Sequence, residues 1–215
     1  HRVKNNLQTV AALLRLQSRR VANAEARTAL EEAMRRVSSI ALVHETLSSA
    51  IDEEVAFDDV VDRLLAMLGE VTGSTGRVQL QRCGTFGELP AELATPLVMV
   101  LTELVGNAIE HGFAGTDAGS VVVSGARARG GLRVAVTDDG AGLPAKFSLD
   151  GSDRLGLQIV RTLVDAELGA SLSIGGNPDR GAAVRPGNEP AQPGTNPARS
   201  GTEVSLQIPL DRPSS

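Results

Sequence analysis

Tryptophan and tyrosine are absent from this chain of 215 residues, and phenylalanine occurs four times. A protein that stacks nucleic-acid bases needs aromatic side chains, and one that grips a phosphate backbone needs excess positive charge. The formal net charge here is −5, so no nucleic-acid partner is expected. The one cysteine, Cys83, cannot close an internal disulfide, which fits a reducing, cytoplasmic setting. No apolar run reads as long enough to span a bilayer and no signal peptide is visible, so no membrane is expected within this chain. The chain begins with His rather than Met, and is expected to be a fragment with further sequence upstream.

What is present suits a soluble globular protein. The hydrophobic fraction is 41%, and the length allows one or two domains with a sizeable core. Residues 1 to about 50 read as two helices. Val3, Leu7, Val10, Leu14 and Val21 alternate at three and four, widened by Leu13 and Leu16. Leu30, Ala33, Val37, Ile40, His44 and Leu47 do the same, beside Met34, Ala41 and Ile51. Asn23-Ala24-Glu25 is the expected break of an antiparallel hairpin. Stripes this wide cannot be buried by two helices alone, so two hairpins are expected to pair as a four-helix bundle in a homodimer.

Ile51–Val55 reads as an acidic connector and domain boundary. Asp58 is placed to cap a helix through Val60, Val61, Leu64, Leu65 and Leu68, with Phe57 before the cap. Val78–Leu80 alternates as a strand, and Pro90 and Pro96 flank the start of the next helix. In that helix Leu97, Val100, Leu101, Leu104, Val105, Ala108 and Ile109 form a buried stripe. Glu103, Asn107, Glu110 and His111 fall on the opposite side, which by itself is equally an ordinary solvated face. Val121–Ala126 and Leu132–Asp138, separated by Gly130-Gly131, read as a β-hairpin. Strand parity puts Asp138 on the apolar face of Leu132, Val134 and Val136, where a carboxylate needs a partner; Asp139 reads as a turn residue. Alone, the pair could also be a plain Asp-Gly turn. A helix over Leu155–Leu168 ends at Gly169, and Ser171–Ile174 and Thr202–Pro209 read as strands. Between them the Gly-, Pro-, Asn- and Arg-rich stretch about 176–200 reads as a flexible insertion.

Four stretches in order carry a resemblance. ELVGNAIEHGF (103–113) resembles the N box of the GHKL ATP-binding superfamily, DDGAG (138–142) its G1 box and LGLQIV (155–160) its G2 box. HRVKNNLQTVAALLRLQSRR (1–20) resembles the phosphoacceptor box of the HWE-like subclass of sensor histidine kinases, in its cytosolic, actinobacterial form. The resemblance implies an α+β protein. A helical-hairpin dimerisation and phosphotransfer domain (1–52) would be followed by a two-layer α/β sandwich ATPase domain (53–215) with a mixed sheet of about five strands.

The resemblance also implies a chemistry. Asp138 would accept from the exocyclic amine of adenine, as its counterpart does in the superfamily. Gly140 and Gly142 would let the backbone approach the base. The helix opening at Leu155-Gly156-Leu157 would offer free amides to phosphates. Asn107 would give a neutral oxygen to Mg²⁺. His111 and Thr202 lie where relatives contact phosphates, and Lys146 sits in a lid over Leu143–Asp153. Arg154 stands where the G2 box usually has Gly, and reads either as a phosphate contact or as a solvated Arg.

His1 would be the phosphoacceptor. A neutral imidazole is needed, which its reference pKa of roughly 6.5 permits, and Arg2 and Lys4 disfavour the imidazolium further. Arg2 stands where commoner kinases place an activating acid, so Glu103 is the candidate base, as in relatives. His44 is the rival acceptor, or a packed histidine of the second helix. The reaction implied is ATP-dependent autophosphorylation followed by transfer to an Asp of a response regulator. A GHKL serine kinase or ATPase, and a dimeric nucleotide-binding scaffold without catalysis, are the alternatives.

Overall fold

The computed structural model describes residues 2–18, 20–47, 54–71, 78–113, 118–143, 155–177 and 201–210. Two helices come first, α1 (Arg2–Ser18) and α2 (Ala24–Leu47), packed side by side. The break falls earlier than the sequence suggests, because Ala24 and Glu25 already belong to α2. Asn23 caps it: its Oδ1 accepts from the N–H of Ala26 at 3.1 Å, satisfying one of the amides a helix start leaves open. The wide stripe of α1 divides. Leu7, Ala11 and Leu14 are half-buried and Ser18 is buried, its hydroxyl donating to Glu31 of α2 at 3.4 Å. Val10, Leu13 and Leu16 are 43%, 55% and 56% exposed. One hairpin therefore leaves a strip of apolar surface uncovered. On α2, Met34, Arg35, Ser39 and Ala41 are buried, and Leu42 packs on the core shared by the sheet and the later helices.

The expected acidic connector is partly a strand. β1 (Glu54–Ala56) runs antiparallel to β3 (Glu88–Pro90), with Val55 opposite Leu89 and both essentially buried. Strands of three residues are too short to show alternation, so neither is visible in the sequence. α3 (Phe57–Val71) begins at Phe57, whose buried ring lies 5.6 Å from that of Phe86. Asp58 does not cap this helix. Its carboxylate accepts from the N–H of Phe86 at 3.1 Å, from that of Gly87 at 3.0 Å and from Arg82 at 3.0 Å. A tertiary partner has taken the place of the helix's own amides.

The main sheet has five strands, β2 (Val78–Gly84), β4 (Gly119–Ala128), β5 (Gly131–Asp138), β6 (Ser171–Gly176) and β7 (Thr202–Pro209), in the order β2-β4-β5-β7-β6. β2 and β4 are parallel and the other pairs antiparallel, the mixed sheet anticipated. β4 and β5 turn through Arg129-Gly130, one residue earlier than Gly130-Gly131, with Gly130 at φ 77 as a tight hairpin requires. Helices α3, α4 (Ala91–Asn107) and α5 (Leu155–Thr162) form the second layer. Val121, Val123, Leu132, Val134, Leu206 and Ile208 from the sheet share one core with Leu64, Leu68, Leu97 and Leu101 from the helices.

α4 is the central helix. It begins after Pro90, so Pro96 lies inside it rather than at its flank. Leu101–Phe113 is not one regular helix: after Asn107 the coil widens into a π-turn over Ala108–Gly112. Helix α5 likewise continues as a π-turn, Leu163–Leu168, and ends at Gly169 as expected. Contrary to the reading that no run could span a bilayer, Ala91–Gly112 is long and apolar enough to do so. Its apolar window is 78% buried inside the protein, which accounts for that hydrophobicity as core packing.

Candidate nucleotide site

β5 delivers a carboxylate to the core side of the sheet. Leu132, Val134 and Val136 are buried along one face, and Asp138, the next residue in that parity, is 5% exposed. In register it lies between Val121 of β4 and Thr202 of β7. Its Oδ1 accepts from the N–H of Gly140 at 2.8 Å, and Thr202 bonds it through both backbone and side chain. Burial pushes the Asp138 carboxyl above the usual carboxylate range. The hydrogen bonds from Gly140 and Thr202 oppose that rise and the nearby Asp139 adds to it. Asp139 is the turn residue its parity suggests: it accepts from the N–H of Ser120 at 2.7 Å and returns its own N–H to Ser120 O at 3.2 Å.

Three segments converge here. The N–H of Ala141 donates to Gly112 O at 2.9 Å, joining the end of the central helix to the turn after β5. The N–H of Gly201 donates to Gly140 O at 3.0 Å, joining that turn to the start of β7. Close approach explains the glycines. A Cβ on Gly140 would stand 2.3 Å from Gly112 O, and one on Gly112 would stand 3.3 Å from Asp138 Oδ1. Gly142 is half-buried beside them. Asn177 Nδ2 donates to Asp138 O at 3.0 Å, closing the site from the end of β6. Phe113 braces the arrangement from below, its ring lying where a Cβ on Gly119 would be.

A second cluster lies roughly 13 Å back along α4, nine residues before Gly112. Glu103 is not on a solvated face. It is 8% exposed, and its carboxylate is gripped by Arg36 of α2, Nε to Oε1 at 2.5 Å and Nη2 to Oε2 at 2.9 Å. Arg36 also reaches Glu32 one turn away at 3.2 Å. The hydrogen bond to Glu103 raises the Arg36 guanidinium above its ordinary value, against the opposing effect of burial. Arg35 pairs with Glu110 through a single contact, Nη1 to Oε1. The expected polar face is thus an interface, because α2 packs against it; only the stretch from Asn107, half-exposed, to His111, exposed, keeps contact with solvent. Gly156, buried at the start of α5, abuts the Glu103–Arg36 pair: a Cβ there would stand 2.5 Å from Glu103 Oε2. Leu157 is buried and Leu155 is 59% exposed.

The structure therefore brings Asp138, Gly140 and Thr202 together near Gly112, and Glu103 together with Gly156. His1, Lys146 and Arg154 lie outside the described residues, as does the expected lid beyond Leu143. His44 belongs to α2. Sequence reasoning missed Arg35, Arg36, Asn177 and Gly201. Only the Glu32–Arg36 spacing of i,i+4 gave any signal, and it pointed along the helix rather than across to Glu103.

Residues 1–72 match the family described as Histidine kinase. Residues 92–212, more than half of the chain, match the family described as Histidine kinase-, DNA gyrase B-, and HSP90-like ATPase. Over 185 residues the chain is 57% identical to the sensor histidine kinase PdtaS of Mycolicibacterium smegmatis and 56% identical to PdtaS of Mycobacterium tuberculosis. That is 86% of this chain and 37% of each relative, so the chain spans well under half their length. The histidine kinase domain of a blue-light activated histidine kinase from Erythrobacter litoralis shares the fold, with a TM-score of 0.68 at 21% identity over 96% of this chain and 94% of that one. A helical region matching one histidine kinase family, joined to an ATPase region matching another, is the architecture of the whole described molecule, and the chain belongs to the two-component sensor histidine kinases of the PdtaS-like subclass.

Proposed function

We propose that this chain is the catalytic core of a sensor histidine kinase that autophosphorylates on His1 and passes the phosphoryl group to an Asp of a response regulator. The observation that carries this is the buried Asp138 held by Gly140 and Thr202 against Gly112. The cradle fits adenine: a carboxylate acceptor is presented for the exocyclic amine, and any side chain on Gly112 or Gly140 would fill the space around it. Gly142 follows in the same turn. Asn107 and His111 face solvent from the same helix end and would meet Mg²⁺ and phosphates, with Thr202, Lys146 and Arg154 as further phosphate contacts. The first amides of α5, at Gly156 and Leu157, would meet phosphates as helix starts do. Mg²⁺ would supply neutralisation of phosphate charge, and Asn107 would be the residue that holds it.

An imidazole nitrogen of His1 forms the N–P bond while the P–O bond to ADP breaks. Glu103 takes the proton that the ring gives up. Positioning and charge neutralisation provide most of the acceleration. Residues 1–52 form the dimerising hairpin and 53–215 the ATPase domain. The uncovered Val10, Leu13 and Leu16 are buried in a cytoplasmic homodimer. The test is incubation with γ-labelled ATP and Mg²⁺ beside His1→Gln and Asn107→Ala. Acid-labile, base-stable label lost in both variants is the expected result. Label surviving in His1→Gln moves the acceptor elsewhere, and ATP binding without label in the parent leaves a nucleotide-binding scaffold.

A further inference from the structure

Asp138 closes a circuit of hydrogen bonds on itself. Its Oδ1 accepts from the N–H of Gly140 at 2.8 Å, Gly140 O accepts from the N–H of Gly201 at 3.0 Å, and Gly201 O accepts from the N–H of Asn177 at 3.4 Å. Asn177 Nδ2 then donates to Asp138 O at 3.0 Å and completes the circuit. The end of β5 is thereby tied to the end of β6 and the start of β7. Thr202, opposite Asp138 in the ladder, spends its backbone bond on the carboxylate, and the Asp138 carbonyl takes a donor from Asn177. Gly140 and Gly201 have no side chains to offer, so the circuit depends on the Asn177 amide.

Side-chain packing does not put Asn177 there. The two residues before it are Gly175 and Gly176, and a Cβ on either would meet nothing within 4 Å. Gly201, at φ 57, leaves the room that the contact needs: a Cβ on it would stand 2.2 Å from Asp138 O and 3.0 Å from Asn177 Cβ. The end of β6 is held at Asp138 by polar contacts, and asparagine suits that task because its amide donor does not titrate. A carboxylate that reads a base has to be fixed, since specificity is a difference of affinities. Adenine offers its exocyclic amine as the donor. Guanine offers a ring N–H and an amine, displaced along the same edge. A carboxylate free to follow those donors serves both bases, and one tied down at its main chain and its side chain serves adenine. Resting on the assignment of Asp138 to adenine above, we infer that Asn177 is a positioning residue that sets a preference for ATP over GTP by holding the backbone of Asp138 in place.

Asn177→Leu keeps the branched shape and removes the donor. Titration calorimetry with ATP and with GTP, each with Mg²⁺, is read on the parent, Asn177→Leu, Asp138→Asn and the double variant. Asn177→Leu should weaken ATP roughly three- to tenfold, the scale of one net hydrogen bond, and leave GTP within about twofold of the parent. A general collapse of the site would weaken both nucleotides alike. Because Asn177 acts through Asp138, the double variant should bind ATP within about twofold of Asp138→Asn alone. Losses that multiply in the double variant overturn the positioning role, and so do equal losses of ATP and GTP in Asn177→Leu. Weakened ATP in Asp138→Asn with none in Asn177→Leu strikes Asn177 alone and leaves the adenine reading standing. Unchanged ATP affinity in Asp138→Asn removes the adenine reading, and the role of Asn177 with it.

Discussion

Asp138→Asn should separate recognition from stability. The substitution keeps Oδ1 as an acceptor for the N–H of Gly140 but removes the charge. A hydrogen bond to a charged acceptor is worth about 1.5–3 kcal/mol, so losing it from the adenine amine should weaken ATP binding ~10- to 150-fold. Stability moves the other way. Burial raises the carboxyl of Asp138 in the folded state, so the folded chain holds that proton more tightly than the unfolded chain. Stability therefore falls as pH rises from the unfolded value, about 3.9, through the raised one, and the penalty is complete above it. Asparagine never ionises. At pH 7 the unliganded variant should melt at or above the parent temperature, and the gap should close as pH falls below about 4. Guanine carries a carbonyl where adenine carries the amine, so discrimination between ATP and GTP should also shrink. Titration calorimetry with each nucleotide and thermal melts between pH 4 and 7 read all three effects. An ATP dissociation constant changed less than twofold would sink the assignment of Asp138 to the base. A melting temperature several degrees lower at pH 7 would make the charge a structural requirement instead.

Two further outcomes rest on the packing. Gly140→Ala drives a Cβ to 2.3 Å from the Gly112 carbonyl, backbone that cannot swing aside, and should cost about 2–3 kcal/mol; in a chain this size that is a drop of roughly 5–10 °C in Tm. Leu13→Glu should leave the folded hairpin almost untouched, since Leu13 is 55% exposed, yet weaken self-association by roughly a hundredfold or more, as each copy forfeits the burial of a leucine. Sedimentation velocity across a concentration series reads the second; a monomer in the parent protein would remove the homodimer from the proposal.

Local rules carried the sequence reading wherever one element sufficed. Period-two alternation located β4, β5 and β7 and placed Asp138 on the inner face, because parity needs only the strand itself. Gly169 marked the end of its helix for the same reason. The failures share one cause, a tertiary partner overriding a local preference. Asp58, a good cap by type, is drawn to the Phe86–Gly87 turn. Glu103 looked like a surface acid because its stripe is polar, yet Arg36 arrives from sixty-seven residues away to bury it. β1 and β3 exist only as a pair, each too short to show a period. Within the candidate site, the boxes announced the residues around Asp138, while Asn177 and Gly201 carry no pattern and are found only through the backbone they touch.

The mouth of the β6–β7 hairpin has a consequence for how this lineage can vary. Gly176 pairs with Thr202, so the ends of the stretch between them are already held together. Lengthening a stretch closed at both ends costs about 0.6 kcal/mol per doubling, which makes insertions there close to neutral for natural selection. The two residues at its rim have no such freedom. Asn177 holds the carbonyl of Asp138, and Gly201, at φ 57, would put a Cβ 2.2 Å from that same oxygen. Descendants of a common ancestor should therefore differ freely in the length and composition of the stretch between and hardly at all at its two end posts. Grafting a foreign domain between those posts would hang it directly on the backbone of the buried Asp138.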